Sequence, residues 1–423
     1  MPRTETDFDV VVAGGGAGGV GAAIGAARAG ARVALVEKYG FLGGAATNAQ
    51  VLAYCGFFHH GGDTAVRAVE GAGEAVLAQM RKQGVDCQAY HSPTTGNWIV
   101  LLDPERLKLA LDRVLAEHGV EVLLHSRVAA ASRTADAIES VTVAGMDGRF
   151  RLIAESFVDA SGDANLALVA GQPMRIGDGE GRLQAFTMPI RIGGLTVEGR
   201  VDRQRLIAAV DTFNERSPYK ITRSDGGIYT RVAGSTDFWW LIIDREMPDL
   251  SSKSFTAAER SGREMANLMV EVLREKVPGF ESAWLAQTGP QIGVRETRHP
   301  AARYSITHDD VLNGRLREDG VARASWPIEL HSEAGKPIYE HIGGEGYYHI
   351  PLDALHAAGL SNLWYAGRVI GADPRAYGST RVMGTAFASG EAAGVAAALT
   401  ARQGKPPAPQ AVREQLLAQG ALI

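Results

Sequence analysis

Cysteine is scarce: the 423 residues include only Cys55 and Cys87, too few for a disulfide framework and too far apart for a metal-binding pair. Long apolar runs are missing too. The longest, residues 383–399, is rich in Gly and Ala and broken by Glu391, so it reads as a buried helix and not a membrane span. Positive charge is not in excess, with 43 Lys and Arg against 48 Asp and Glu, a net charge of −5. Without a basic tail or stripe, nucleic acid is not an expected partner, because phosphate neutralisation supplies most of that affinity. Residues 1–9 show no apolar core or cleavage pattern of an export signal, so a cytoplasmic location is expected. There is no G-x-S-x-G elbow, no H-E-x-x-H, no Cys-x-x-Cys and no P-loop lysine. Acyl transfer, zinc hydrolysis, dithiol exchange and phosphoryl transfer therefore have no motif to stand on.

Glycine, by contrast, is abundant, at 51 residues without a collagen-like period or a low-complexity run. Hydrophobic residues at 45% and charged residues at 22% fit a globular chain, and its length suits two or three structural units. Residues 8–13 form an apolar, β-branched run ended by glycines. A small-residue helical pattern over 17–29 follows, stopped by Gly30, and 31–36 is a second buried strand ending at Glu37. This is a β-α-β unit with a very short first turn. Helices are predicted over 64–83 and over 104–118, the second capped by Asp103 ahead of Pro104. Strands are predicted at 120–124, 128–131, 138–144, 150–153 and 157–160, with a hairpin turn at Met146-Asp147-Gly148. Between about 185 and 344 the pattern changes to strands such as 186–192 and 238–243 and a long helix over 256–276. The first style returns with a strand at 363–366 and a helix over 380–400. The expected architecture is α/β: a discontinuous Rossmann-like domain over 1–184 and 345–405, an inserted α+β substrate or cap domain over 185–344, and a surface helix within 406–423.

Gly14-Gly15-Gly16-Ala17-Gly18-Gly19 places G-x-G-x-x-G directly between a strand and a helix. Gly14 serves the tight turn, Gly16 the approach of backbone to a pyrophosphate, and Gly19 close packing of helix on strand. The helix start at Ala17 and Gly18 offers unpaired N–H groups and partial positive charge. Glu37 stands where a carboxylate accepts ribose hydroxyls. Beyond it, Lys38-Tyr39-Gly40-Phe41-Leu42-Gly43-Gly44-Ala45-Ala46-Thr47 carries a second glycine pair. A nicotinamide domain has no need of that pair, whereas a flavin dinucleotide does, since the chain must run back along the pyrophosphate. No second G-x-G-x-x-G or redox cysteine pair is present, which separates the chain from disulfide-reductase-type flavoproteins.

At this point the sequence resembles the FAD-dependent oxidoreductases related to the flavoprotein subunits of fumarate reductase and succinate dehydrogenase, in particular a bacterial branch with an L-G-G-x-x-T element. Val158-Asp159-Ala160-Ser161-Gly162-Asp163, Gly293-Val294-Arg295-Glu296-Thr297-Arg298, and the stretch from Leu363-Trp364-Tyr365-Ala366-Gly367-Arg368 to Gly378-Ser379-Thr380-Arg381-Val382-Met383 extend the likeness over nearly the whole chain. The resemblance implies a glutathione-reductase-like FAD-binding domain. It implies cofactor contacts at Lys38, Gly43, Gly44, Ala45 and Thr47, and at Ser161, Gly162 and Asp163. It also places Val128 at the adenine and Gly367, Arg368, Gly378, Ser379, Arg381 and Val382 in the loop and helix that close on the flavin. Arg368 stands where the wider superfamily often has an acidic residue. Phe57-Phe58-His59-His60-Gly61 does not match the covalent-flavin motif, so non-covalent FAD is expected.

Arg295 and Arg298 suit a carboxylate clamp, with Glu296 as a brace. His299, His59 and His60 are the candidate bases. Arg375 and Tyr377 lie in the closing loop, and Cys55 reads as an inert buried thiol. The expected reaction takes hydride from a small polar metabolite, anionic if the arginines clamp it. Oxygen, a quinone or a carrier protein would then reoxidise the cofactor. The alternatives are reduction of an activated double bond, an FAD-binding protein without turnover, and a bare nicotinamide-binding module.

Overall fold

The computed structural model describes residues 4–5, 8–196 and 201–423, so the reading of residues 1–9 falls largely outside it. Five short strands form a wholly parallel sheet: β1 (Val10–Ala13), β2 (Val33–Val36), β3 (Glu121–Leu123), β4 (Ser156–Asp159) and β5 (Leu363–Tyr365), in the order β5-β4-β1-β2-β3. The residues of β1, β2, β4 and β5 are all buried, the signature of a parallel sheet covered on both faces. The register sets Ala13 beside Asp159 and Val36, and Asp159 beside Tyr365. The turns after β1, β2, β4 and β5 therefore leave the sheet at one carboxyl edge, where open α/β sheets bind ligands.

Helix α1 (Ala17–Arg28) packs on α2 (Met383–Gln403), and the two meet through bare backbone. A Cβ on Gly21 would stand 2.6 Å from the Phe387 carbonyl oxygen, and one on Gly390 would collide with the Gly18 carbonyl. Both helices are small-residue rich because nothing larger fits. The predicted helix over 380–400 begins three residues later. A separate turn, Tyr377–Thr380, precedes it, and Val382 is extended, which resets the chain direction.

The helix predicted over 64–83 starts only at Ala72 and runs to Lys82. Its start is set from a distance: the Ala72 N–H donates to Glu391 of α2 at 2.8 Å, and Gly71 adopts a φ of +58° to allow it. The second predicted helix, Pro104–Glu117, keeps its cap, with Asp103 accepting from the Glu105 and Arg106 N–H groups. The hairpin also forms, as Ile138–Gly145 pairs with Gly148–Ile153.

A second body follows. Its antiparallel sheet has the order Ile228–Arg231, Phe238–Arg245, Phe186–Gly193, Trp284–Thr288, and it packs with helix Ser252–Lys276, which itself lies against Arg203–Arg216. Its core, with Met188, Trp240, Met265 and Phe280, is separate from the first and ends at Ile292. The division drawn at 344 differs from this packing. Ile306, Val321, Ala324 and Ile328 join the first core, because strand Gly320–Ala324 pairs with Tyr348–Pro351 and lies on α2. The tail helix, Pro409–Ala418, buries Val412 and Leu416 and leaves Gln410, Glu414 and Leu417 exposed. Among the described residues no helix is long and apolar enough to cross a membrane.

Burial raises the pKa of Glu391 from 4.5 to about 7, against the pull of Ala72 N–H and Arg28. Between these values the folded chain keeps a proton that the unfolded chain releases, so this group's contribution to stability falls as pH rises from 4.5 to about 7. Glu391→Gln is expected to flatten that slope in thermal unfolding and to raise Tm at pH 8 by about 2 °C or more. A lower Tm at pH 8 would mean that the ionised carboxylate is needed there.

Candidate functional site

The four turns at the sheet's carboxyl edge enclose a cleft of about 950 Å³, part of it open to solvent. Gly14, at a φ of +105°, turns the chain sharply after β1. The Glu37 carboxylate accepts from the Gly15 N–H at 2.6 Å and from the Tyr39 N–H at 2.9 Å, so the end of β2 holds the glycine turn in shape. Helix α1 begins after Gly16 with no side-chain cap and no acidic residue in its first turn. Helix α2 begins after Val382 in the same state. Ala17 and Gly18 of one and Met383 and Ala386 of the other line the same cleft. The two starts thus bring partial positive charge to one space, although the Gly384 N–H of α2 is already taken by the Cys55 carbonyl at 2.8 Å. That arrangement is suited to an anion such as a pyrophosphate.

Most residues expected to hold the cofactor lie on this wall. Gly14, Gly16, Ala17 and Gly18 come from the first turn, and Glu37, Lys38, Gly44 and Ala45 from beyond β2. Ser161, Gly162 and Asp163 follow β4, and Gly367, Arg368 and Arg381 follow β5. Others support it from behind. A Cβ on Gly19 would collide with the Gly14 carbonyl. The Gly43 N–H donates to the Gly15 carbonyl at 2.9 Å, and the Thr47 hydroxyl to the Leu42 carbonyl at 2.7 Å. Gly378 and Ser379 are buried beneath, where Ser379 accepts from the Tyr348 hydroxyl at 2.9 Å. Val128 sits half-buried on strand Arg127–Arg133, away from the cleft wall.

A second, inner cavity of about 1240 Å³ shares Ala45, Val294, Arg368, Arg381 and Met383 with the cleft and extends under the inserted sheet. Its walls are mainly apolar: Val51, Ile99 and Leu101 face Tyr229, Trp239 and Leu241. The polar wall is formed by Arg295, Glu329, His331 and Arg381, and Val382 and Cys55 complete it. Burial pushes the Cys55 thiol far up, in keeping with an inert side chain. Arg295 donates to Asp244 at 2.7 Å and to the Ala185 carbonyl at 2.6 Å. His331 sets Nε2 2.9 Å from Glu329 and Nδ1 3.4 Å from Asp244. Burial opposes charge on both carboxylates, yet Arg295 and His331 beside Asp244, and His331, Arg381 and Trp326 beside Glu329, hold them below the usual range. Arg381 differs from its neighbours. It donates to the Glu329 backbone carbonyl at 2.8 Å, its buried Nε has no hydrogen-bond partner, and it pairs with no carboxylate among the described residues.

The expected Arg295/Arg298 clamp does not form. Arg298 lines neither cavity; it donates to the Asp163 carbonyl at 2.6 Å and to Asn165 at 3.2 Å. His299 is buried behind the wall, 2.9 Å from Glu296 and edge-on to Tyr377, and burial lowers its pKa. Tyr377 donates to the Arg295 carbonyl at 2.6 Å, and Arg375 reaches Glu340. These groups brace the junction of the two bodies. His59 packs on Tyr347, and His60 bonds Asn97 and His341, each at 2.7 Å. Neither histidine reaches the cleft or the inner cavity. Sequence reasoning missed Asp244, Glu329 and His331. The available signal was the alternation Ile328-Glu329-Leu330-His331, whose apolar members are buried on the other face.

A profile of the family described as FAD dependent oxidoreductase matches residues 9–419, and the chain belongs to that family. No curated protein matches it by sequence. Among solved structures it is similar to BexE, which acts in oxidation during BE-7585A biosynthesis. That match has 12% identity and a TM-score of 0.52, covering 98% of this chain and 66% of that one. It is also similar to a geranylgeranyl bacteriochlorophyll reductase-like protein from Thermoplasma acidophilum, at 13% identity and a TM-score of 0.49, covering 98% and 83%. A third is p-nitrophenol 4-monooxygenase PnpA from Pseudomonas putida, at 14% identity and a TM-score of 0.46, covering 98% and 84%. The fold is a Rossmann-like FAD-binding fold, the cofactor is FAD, and the protein is an oxidoreductase.

Two neighbouring glycines separate cradle from scaffold. A Cβ on Gly16 would meet only Gly44, at 3.6 Å, whereas one on Gly18 would press on the Gly367 backbone at 3.0 Å. Gly16→Ala is expected to leave the Tm of the FAD-free protein unchanged while raising the Kd for FAD about tenfold or more. Gly18→Ala is expected to cost about 1–3 kcal/mol of stability through overpacking and so to lower that Tm. Unchanged FAD affinity in Gly16→Ala would remove the pyrophosphate from this cleft.

Proposed function

We propose that this FAD-dependent oxidoreductase holds FAD non-covalently along the cleft and removes hydride from a substrate in the inner cavity. Glu37 takes the ribose hydroxyls, the start of α1 the pyrophosphate, and Ser161 to Asp163 the adenosine end. Gly367 and Arg368 follow the ribityl chain. The start of α2, at Val382 and Met383, faces the pyrimidine end of the flavin, where its dipole favours negative charge. When bound, FAD supplies a ring that accepts hydride from a substrate C–H.

The observation that carries this reading is Arg381, a guanidinium without a carboxylate partner where the two cavities meet. Arg295 is already engaged by Asp244, and Arg298 lies elsewhere, so Arg381 takes the anion-binding role first assigned to that pair. The walls around it call for more hydrocarbon than a small polar metabolite offers. The substrate is therefore a molecule with an apolar body and one polar or anionic end. Closer kinship to the fumarate reductase and succinate dehydrogenase flavoproteins rests on the L-G-G-x-x-T and G-V-R-E-T-R elements. Oxygen, a quinone or a carrier protein would reoxidise the cofactor.

Anaerobic mixing with hydroxy- and amino-acids bearing apolar side chains tests the proposal through bleaching of the flavin band. Arg381→Gln is expected to slow bleaching about 10- to 100-fold with its resting spectrum retained, as loss of a hydrogen bond to a charged group implies. Arg298→Ala should stay near the wild-type rate. An Arg381→Gln protein bleached at the wild-type rate would sink the anion-anchor role. Reoxidation of reduced protein by an activated alkene, with no bleaching by any donor, would reverse the reaction's direction.

A further inference from the structure

The inner cavity shares Ala45, Val294, Arg368, Arg381 and Met383 with the cleft, so a dinucleotide seated in the cleft closes that side. A third cavity, of about 690 Å³, meets the inner one elsewhere. The two share Thr95 and Ile228, and the outer walls of the third carry His60, Asn97, Pro327, Tyr339 and His341. Thr95 lies at the tip of the hairpin formed by Ala89–His91 and Trp98–Leu101, which packs on the first core. Ile228 opens Ile228–Arg231, the edge strand of the inserted sheet. Arg203, on helix Arg203–Arg216, ties these two elements together: it donates to the Thr94 hydroxyl at 2.9 Å and to the Gly227 carbonyl at 3.1 Å. One guanidinium therefore fixes both sides of the neck between the cavities. At the outer rim His60 bonds Asn97 of the hairpin and His341 beyond strand Ile338–Glu340, each at 2.7 Å.

The lining of the third cavity suits passage and not capture. Pro327 and Pro337 present no N–H donor, and Ile228 and the Tyr339 ring add hydrocarbon. Its arginine, Arg223, is held by Asp225 at 3.0 Å, whereas Arg381, which pairs with no carboxylate among the described residues, lies beyond the neck. We infer that the third cavity is the entrance by which substrate reaches the flavin, and that Thr95 and Ile228 form the neck that selects it by width. This rests on the proposed seats of FAD in the cleft and of substrate in the inner cavity. An apolar body with one anionic end passes the two prolines and the neck, and its charged end is first met by Arg381. Arg203 acts as a positioning residue for the neck.

The neck has a reporter on its far side. Cys55 lines the inner cavity near Glu329 and Arg381, whereas Cys87, the other thiol, lines a separate pocket. In a Cys87→Ala background, p-chloromercuribenzoate therefore reads access to the inner cavity through its mercaptide absorbance. A mercurial is chosen because burial keeps the Cys55 thiol protonated. The FAD-loaded parent is expected to take up mercury in proportion to the chain. Thr95→Trp, which narrows the neck, should slow that uptake at least about tenfold, and Ile228→Ala, which widens it, should quicken it. Neither residue lines the cleft, so FAD content and the flavin spectrum should match the parent. In the FAD-free protein the cleft offers a second way in, and Thr95→Trp should label within about twofold of its parent. A parental rate in either loaded variant would overturn the inference. So would equal slowing of Thr95→Trp with and without FAD, which would mean that the added indole merely shields the thiol, or a loaded parent that takes up no mercury. Labelling involves no electron transfer, so a failure here leaves hydride transfer standing, and inert flavin chemistry leaves this entrance standing.

Discussion

The contact between α1 and α2 is the constraint on which the rest depends. Gly21 and Gly390 let the two backbones touch, and that touch brings two uncapped helix starts to one cleft although they lie more than 360 residues apart in sequence. Neither start has a side-chain cap, and neither carries an acidic residue in its first turn. The parallel sheet adds the other half of the geometry, since its register sends four turns out of one edge. The sheet aims the turns and the helix pair charges them.

The inserted body has a different task. Its antiparallel sheet roofs the inner cavity with Tyr229, Trp239 and Leu241, while the polar groups opposite come from both bodies. Asp244 belongs to the inserted sheet, and Glu329 and His331 to the segment that rejoins the first core. The Arg295–Asp244 and His331–Asp244 contacts therefore hold the two bodies together at the cavity. Breaking such a buried pair on one side leaves a charge without compensation, which costs more than the pair contributes. Fold integrity and cavity chemistry are tied to the same few residues.

The first turn, the second glycine pair and the capped helix after Asp103 were legible in the sequence because each is a local rule with fixed spacing, whereas the bonds by which Glu37 holds the glycine turn were not read there. The helix start at Ala72 was not, because its cap, Glu391, lies over 300 residues away. The second boundary was misplaced for a similar reason. Strand style persists past residue 292, and only packing shows that Val321 and Ala324 belong to the first core. At the site, clustering in sequence was mistaken for clustering in space. Arg295 and Arg298 are neighbours in the chain but point apart, whereas Asp244, Arg295, Glu329, His331 and Arg381 meet from distant segments.

The central claim, that these converging helix starts hold FAD without a covalent bond, is tested most directly by heat denaturation of the purified protein followed by identification of the released flavin. The account predicts a yellow protein whose colour passes to the supernatant as intact FAD, stoichiometric with the chain, leaving a colourless pellet. A pellet that keeps the flavin, or a colourless protein that takes up no added FAD, would contradict it.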